Sequence, residues 1–431
     1  MKQRKGIEWS RLDNASKIFP ATCNEKDTKV FRLVCELHEA VKPKYLQQAV
    51  NLTLESFPLY KSVLRRGIFW YYFERSDIHP VVKQESSPVC APIYQRDRKN
   101  LLFRVLYYNN RINVEIFHAL SDGTGALWFM QTLVYHYISL RYKDKITGKV
   151  PKPNYSASIS QQTDDSFGRY YTGRYYTGRD AIGLAGRNIK GDAEAEAYHI
   201  RGTRVEENRL KVIEGCMPVK AVLEEAHKYN TTLTIYITSL FIYSIWKEMP
   251  ANRKNRPVVL SVPINLRQFY ESETARNFFS TMAIGYKSGK NGSELKDIIQ
   301  AVSESFRKEL SEEQIQMKVN RFVSFEKNYL TRVIPLPLKD YVLRIASKLK
   351  DRSVTASISN IGRIAMPVEF EPYIRQFCVY YSARRPQITL CTYGDRLVLS
   401  FSSPFAETEI QRIFFESLSQ KGIRIEITSN L

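Results

Sequence analysis

The segment FHALSDGTGALWF, Phe117 to Phe129, sets a histidine between a strand-like run and a helix-like run, with Asp122 and Gly123 just behind it. The chain has 6 histidines, so each is a scarce candidate for proton transfer near neutral pH. His118 leaves a half-buried strand at the loop before a helix. From there an imidazole can reach into a cleft while its backbone is held on both sides. General-base catalysis needs a neutral imidazole of fixed tautomer within hydrogen-bond reach of a hydroxyl or amine. Asp122 could orient that ring directly, as in a triad, or turn away and pin the loop to an arginine. Gly123 and Gly125 would allow a tight backbone and close approach of a substrate. HxxxDG alone recurs by chance, and a histidine at a strand end is often a satisfied turn residue. His136 reads as packing on a tyrosine-rich helical stretch, and His38, His79, His199 and His227 carry no motif. No GxSxG elbow and no reactive-cysteine context offers a competing nucleophile.

The elements that would hold His118 are legible on either side of it. LLFRVLYYNNRINVEIFHA (Leu101 to Ala119) reads as a hairpin turning at Asn109–Asn110, since Asn tolerates positive φ. Ile112, Val114 and Ile116 share one face of its outgoing strand. From Thr124 onward GALWFMQTLVYHYISL reads as a helix, as does PKYLQQAVNLTLESF (Pro43 to Phe57), with proline at its start. FWYYFER (Phe69 to Arg75) reads as a strand. The second half closes on the same plan: in ITLCTYGDRLVLSFSSPFAETEIQRIFFESL (Ile388 to Leu418) a strand, a turn at Gly394–Asp395, a strand and a helix follow one another. Sliding the two turns together pairs Arg111 with Arg396, His118 with Ser403 and Asp122 with Glu407, a pseudo-repeat in which the histidine occurs once.

At 431 residues the chain exceeds one ordinary core, and two domains of roughly 200 residues are expected. The boundaries read as an N-terminal lobe over 1–142, a crossover linker with partly mobile character over 143–207, and a C-terminal lobe over 208–431. The linker is poor in apolar periodicity and holds the tandem YYTGRYYTGR (Tyr170 to Arg179). The six cysteines are scattered without a CxxC pair, so free thiols in a cytoplasmic protein are expected, and no metal site. LTIYITSLFIYSIW (Leu233 to Trp246) is too short to span a bilayer and reads as a buried helix; contact with a membrane surface stays open. The formal net charge of +20 favours polyanions, yet the charge is dispersed and no zinc-finger, RNP or basic-heptad pattern points to nucleic acid.

Several segments in order resemble one family. HALSDG is similar to the HxxxDG signature of the CoA-dependent acyltransferase superfamily, which includes chloramphenicol acetyltransferases, alcohol acetyltransferases and condensation domains. RLDNASKIFP (Arg11 to Pro20) resembles the opening motif of the alcohol acetyltransferase-like branch. VPINLRQFYESETARNFFS (Val262 to Ser280) and SISNIGR (Ser357 to Arg363) resemble the segments carrying an arginine, an Asn-Phe pair and a channel-lining strand. Condensation domains usually carry a further histidine where this chain has Phe117, and the DFGWG motif of plant enzymes is not visible. The alcohol acetyltransferase-like branch is therefore the nearest fit.

The resemblance implies an α/β fold of two similar chloramphenicol-acetyltransferase-like lobes, each a mixed sheet with helices, around a central channel. It implies O-acyl transfer from a CoA thioester to an alcohol, with His118 as base, no bound cofactor, acyl-CoA as co-substrate, and a monomer. It implies an ion pair between Asp122 and Arg267, oxyanion or channel roles for Ser357, Ser359 and Asn360, and Asn277 holding backbone near the channel. Lys348, Lys350 and Arg352, just before the SISNIGR strand, are the expected donor-phosphate contacts. A condensing enzyme served by an acidic acyl carrier protein, or a two-lobed binding protein, are the alternatives.

Overall fold

In the computed structural model the described residues are 9–96, 98–146, 148, 150–152, 164–173, 196–288, 294–327 and 333–430. The hairpin around His118 forms as its sequence demands: Phe103–Tyr108 and Arg111–Phe117 pair antiparallel, with Asn109 at φ 48° in the turn. The outgoing strand is buried along nearly its whole length because it is central. Its other neighbour is Val30–Leu37, also antiparallel, in a five-stranded sheet ordered Ile374–Tyr381, Val30–Leu37, Arg111–Phe117, Phe103–Tyr108, Lys83–Gln84. Helices Pro43–Ser56 and Gly123–Arg141 pack together beside this sheet, the first turning Leu46, Ala49, Val50 and Leu54 inward at helical spacing.

The second sheet has seven strands, ordered Phe279–Tyr286, Val258–Asn265, Ala356–Arg363, Gln387–Tyr393, Arg396–Ser403, Lys211–Pro218, Glu426–Ser429. The later hairpin turns at Gly394, φ 56°, and its outgoing strand again lies between its partner and an earlier antiparallel strand. The two hairpins thus occupy equivalent places. Ser403 sits buried where the first copy has His118. The apolar run Leu233–Glu248 is a buried helix on this sheet, N-capped by Thr232. A small third sheet joins Trp9–Arg11, Tyr71–Arg75 and Ser62–Arg66.

Two features cut across the expected division of the chain. Strand Ile374–Tyr381 pairs with Val30–Leu37, so the C-terminal half lends a strand to the first sheet and residues 208–431 are not a self-contained lobe. The lobes are further tied by Arg111, whose guanidinium reaches Glu36 at 2.8 Å in one sheet and Glu214 at 2.9 Å in the other. The segment 143–207 also contributes to a core where it is described. Phe167 of helix Ser166–Arg169 is fully buried against Phe278, and Tyr170 packs on Tyr270. The second half of the YYTGRYYTGR tandem lies outside the described residues.

All six cysteines are free thiols. Among the described residues no helix is long and apolar enough to cross a membrane, and no group of His, Cys, Asp or Glu could hold a metal ion.

Candidate active site

His118 is the first residue past the ladder between Arg111–Phe117 and Val30–Leu37, and its N–H donates to Lys29 O at 2.8 Å. The imidazole stacks on Phe19 at 4.3 Å between centroids, with Phe31 at 5.0 Å and Phe279 at 5.5 Å. This enclosure desolvates the ring and lowers its pKa below the ordinary imidazole value, with Asp122 and Asn277 opposing the shift. The neutral form is favoured.

Asn277 sets the tautomer. Its Nδ2 faces Ser16 Oγ at 2.8 Å, His118 O at 3.0 Å and Ala119 O at 3.5 Å, all acceptors, which fixes the amide orientation. Its Oδ1 is then the acceptor for His118 Nδ1–H at 3.1 Å. The chain of bonds continues outward, for Ser16 Oγ–H donates to Asp13 Oδ2 at 2.5 Å and Ser16 N–H to Asp13 Oδ1 at 2.7 Å. Nδ1 is therefore spoken for, and Nε2 is left as the basic nitrogen. The sequence placed Asn277 near the channel as a backbone clasp; the structure adds the tautomer control. Its amide is fully committed, which removes it as an oxyanion donor.

Asp122 does not touch the imidazole nitrogens. It caps helix Gly123–Arg141 by accepting from Gly125 N at 2.9 Å, and its Oδ2 accepts from Phe278 N at 2.8 Å and from Arg267 Nη1 at 2.7 Å. The pair is deeply buried, with side-chain exposures of 5% for Asp122 and 7% for Arg267. Arg267 also donates to the carbonyls of Thr274 and Arg276, both at 2.7 Å. Gly125 fits against the same segment. A Cβ there would lie 2.2 Å from Ala275 O, so its role is closeness of two backbones rather than room for a substrate. The loop of one lobe and the Thr274–Phe278 segment of the other are thus clamped, with His118 beside the seam.

His118, Asp122 and Gly123 line a cavity of about 1150 Å³ between the two sheets. Apolar walls come from Ile18, Phe19, Val262, Phe279, Met282 and Phe306. Ser357, Ser359 and Asn360 also line the cavity, where Ala356–Arg363 pairs with Val258–Asn265 only through Ala356 and Ser357 before parting from it. Ser359 and Tyr381 line the same wall, the Tyr381 ring 6.1 Å from the imidazole. The Asn360 amide is engaged, donating to Thr234 Oγ1 at 2.8 Å and accepting from Gly362 N at 2.7 Å. Of the three expected donor contacts, Lys350 alone lines the cavity, its Nζ bonded to Thr281 Oγ1 at 3.1 Å. Lys348 and Arg352 project to solvent from the same helix, because residues two apart lie far round a 3.6-residue turn. The cavity lining adds Lys29, Arg307, Arg384 and Arg385.

Phe19, Tyr381 and the Asp13–Ser16 arm join the site without being singled out by the sequence. Phe19, Asp13 and Ser16 all lie in RLDNASKIFP and could have been drawn from that motif. Tyr381 has no local signal, since it reaches the site by strand pairing from far along the chain.

No family model matches the sequence, and no curated protein matches it. Solved structures do match over nearly the whole chain. The trichothecene 15-O-acetyltransferase from Fusarium sporotrichioides superposes with a TM-score of 0.61 at 8% identity, covering 96% of this chain and 95% of that one. The starter condensation domain of rhizomide synthetase in complex with C8-CoA gives 0.64 at 12% identity, covering 96% and 94%. The first condensation domain of the CDA synthetase gives 0.62 at 13%, covering 97% of each chain. The chain has the two-lobed condensation-domain fold. Identities this low establish the fold alone; the chemistry has to come from the site.

Proposed function

We propose that this condensation-domain-like protein is an O-acyltransferase that moves an acyl group from a CoA thioester to an alcohol by direct attack. The observation that carries the reading is the oriented, neutral His118 with Nε2 left basic at the wall of a cavity shared by two lobes. In the proposed step Nε2 takes the acceptor hydroxyl proton while the acceptor oxygen bonds to the thioester carbonyl carbon. The negative charge that gathers on the carbonyl oxygen needs a donor, and the hydroxyls of Ser359 and Tyr381, which line the same cavity, are candidates. Collapse breaks the C–S bond, and the imidazolium returns its proton to the leaving thiolate. The products are ester and free thiol, with no acyl-enzyme.

Asp122 and Arg267 act as structure in this scheme, and Gly123 lets the Ile361 side chain and the Tyr381 hydroxyl approach the helix start. Lys350, Arg384 and Arg385 at the mouth suit the phosphates of the donor. The same basic rim would suit an acidic carrier protein, which is the competing source of the thioester. A panel of acyl-CoAs against alcohols and amines, read by free-thiol release with no carrier present, tests the reading. Acceptor-dependent release with alcohols is expected. Release that requires a carrier-bound donor moves the protein to the condensing class, and none with any donor removes the acyl-transfer reading.

A further inference from the structure

Helix Leu336–Arg352 packs against helix Ile18–Thr22, and Ser347 and Lys350 on its inner side help wall the cavity. Its outer side is unusual for a soluble surface. Leu338, Tyr341, Val342, Ile345 and Leu349 are 58%, 64%, 55%, 42% and 46% exposed. At about 100° per residue these five positions fall within a single narrow stripe along the helix. Charge borders the stripe, with exposed Lys348 on its flank and exposed Arg352 at its end. The apolar surface continues past the helix start, where Leu336 N–H donates at 2.8 Å to Ile68 O of a hairpin tip bearing Ile68, 76% exposed, and Phe69. A row of exposed large apolar side chains on one helix face is the kind of surface that marks an interaction site.

We infer that this helix docks the protein flat on an anionic lipid surface. Charge complementarity selects the occupant. The chain carries a net charge of +20, and the basic residues beside the stripe meet acidic headgroups while the apolar row enters the acyl boundary. Lys350, on the cavity side of the same helix, places the mouth next to the contact. An apolar substrate could then pass from membrane to cavity without crossing water. The inference is independent of acyl transfer, since binding is read without catalysis.

The test is co-sedimentation of the full chain with phosphatidylcholine vesicles, with and without phosphatidylserine. Three proteins are compared: wild type, Tyr341→Glu with Ile345→Glu, and Lys348→Gln with Arg352→Gln. The substituted side chains are exposed, so unchanged melting temperatures are expected; Val342→Gln with Leu349→Gln is a milder second test of the stripe. Wild type should bind phosphatidylserine vesicles best, the glutamate variant should lose roughly tenfold or more in partitioning, and the glutamine variant at Lys348 and Arg352 should lose mainly the phosphatidylserine preference and its salt dependence. Wild type that ignores both vesicles overturns the inference, as does a glutamate variant that partitions like wild type. A dimer that the glutamate variant dissociates in vesicle-free buffer would assign the stripe to a second copy instead. Capture of holo acyl carrier protein without vesicle binding would assign it to a protein partner.

Discussion

Asn277 decides what His118 can do, because one amide accepts from Nδ1 and donates to the histidine's own carbonyl. Asn277→Ala should keep the fold and lower kcat more than KM, since a freely turning ring spends less time with Nε2 toward the acceptor. An unchanged kcat would show that packing on Phe19 orients the ring without help. The pH profile follows from the enclosure. Burial lowers the His118 pKa, so activity that needs the neutral ring should rise as pH climbs through a value below 6.5 and stay level above it. A limb centred above 7 would contradict a desolvated base. Burial also raises the Asp13 carboxyl to about 6 from 3.8. A folded-state value above the unfolded one means stability falls as pH rises between those values and is level above about 6. Compared with wild type, Asp13→Asn should therefore gain stability across that window, by up to about 3 kcal/mol in denaturant melts at pH 4 and pH 7. A difference that does not change with pH would show that Asp13 is not perturbed.

At the scale of elements, the clamp between the HALSDG loop and Thr274–Phe278 carries the load. Asp122→Ala should lower both melting temperature and activity, at about 3–5 kcal/mol, because it strands the buried Arg267 charge and uncaps a helix. Lost activity with unchanged melting would argue for a direct His–Asp contact. These elements were legible where local chemistry dictated them. Asn109 and Gly394 announced both turns, and Leu233–Trp246 announced a buried helix by length and composition. The partner of Ile374–Tyr381 was not legible, because alternation marks a strand without saying which sheet receives it, and its partner Val30–Leu37 lies far away in the chain. For the same reason Tyr381 escaped notice. Lys348, Lys350 and Arg352 are neighbours in SKLKDR as sequence, whereas the helix period sorts them onto different faces.

Across the whole molecule, two sheets joined by a swapped strand and by Arg111 enclose a cavity that both line. The basic mouth should matter to the donor alone. Neutralising Lys350, Arg384 and Arg385 together should raise the KM for acyl-CoA and flatten its salt dependence while the acceptor KM holds. If the acceptor KM moves instead, the two substrates enter the other way round. The most direct test of the account compares wild type with His118→Ala for ester formation from acyl-CoA and a productive alcohol, with circular dichroism confirming the fold. A folded variant slowed by about 10²–10⁴-fold is expected, since that is what a general base supplies, with no acyl label on wild-type protein held without acceptor. Full activity in the folded variant, or a stable acyl-protein, would contradict direct transfer through His118.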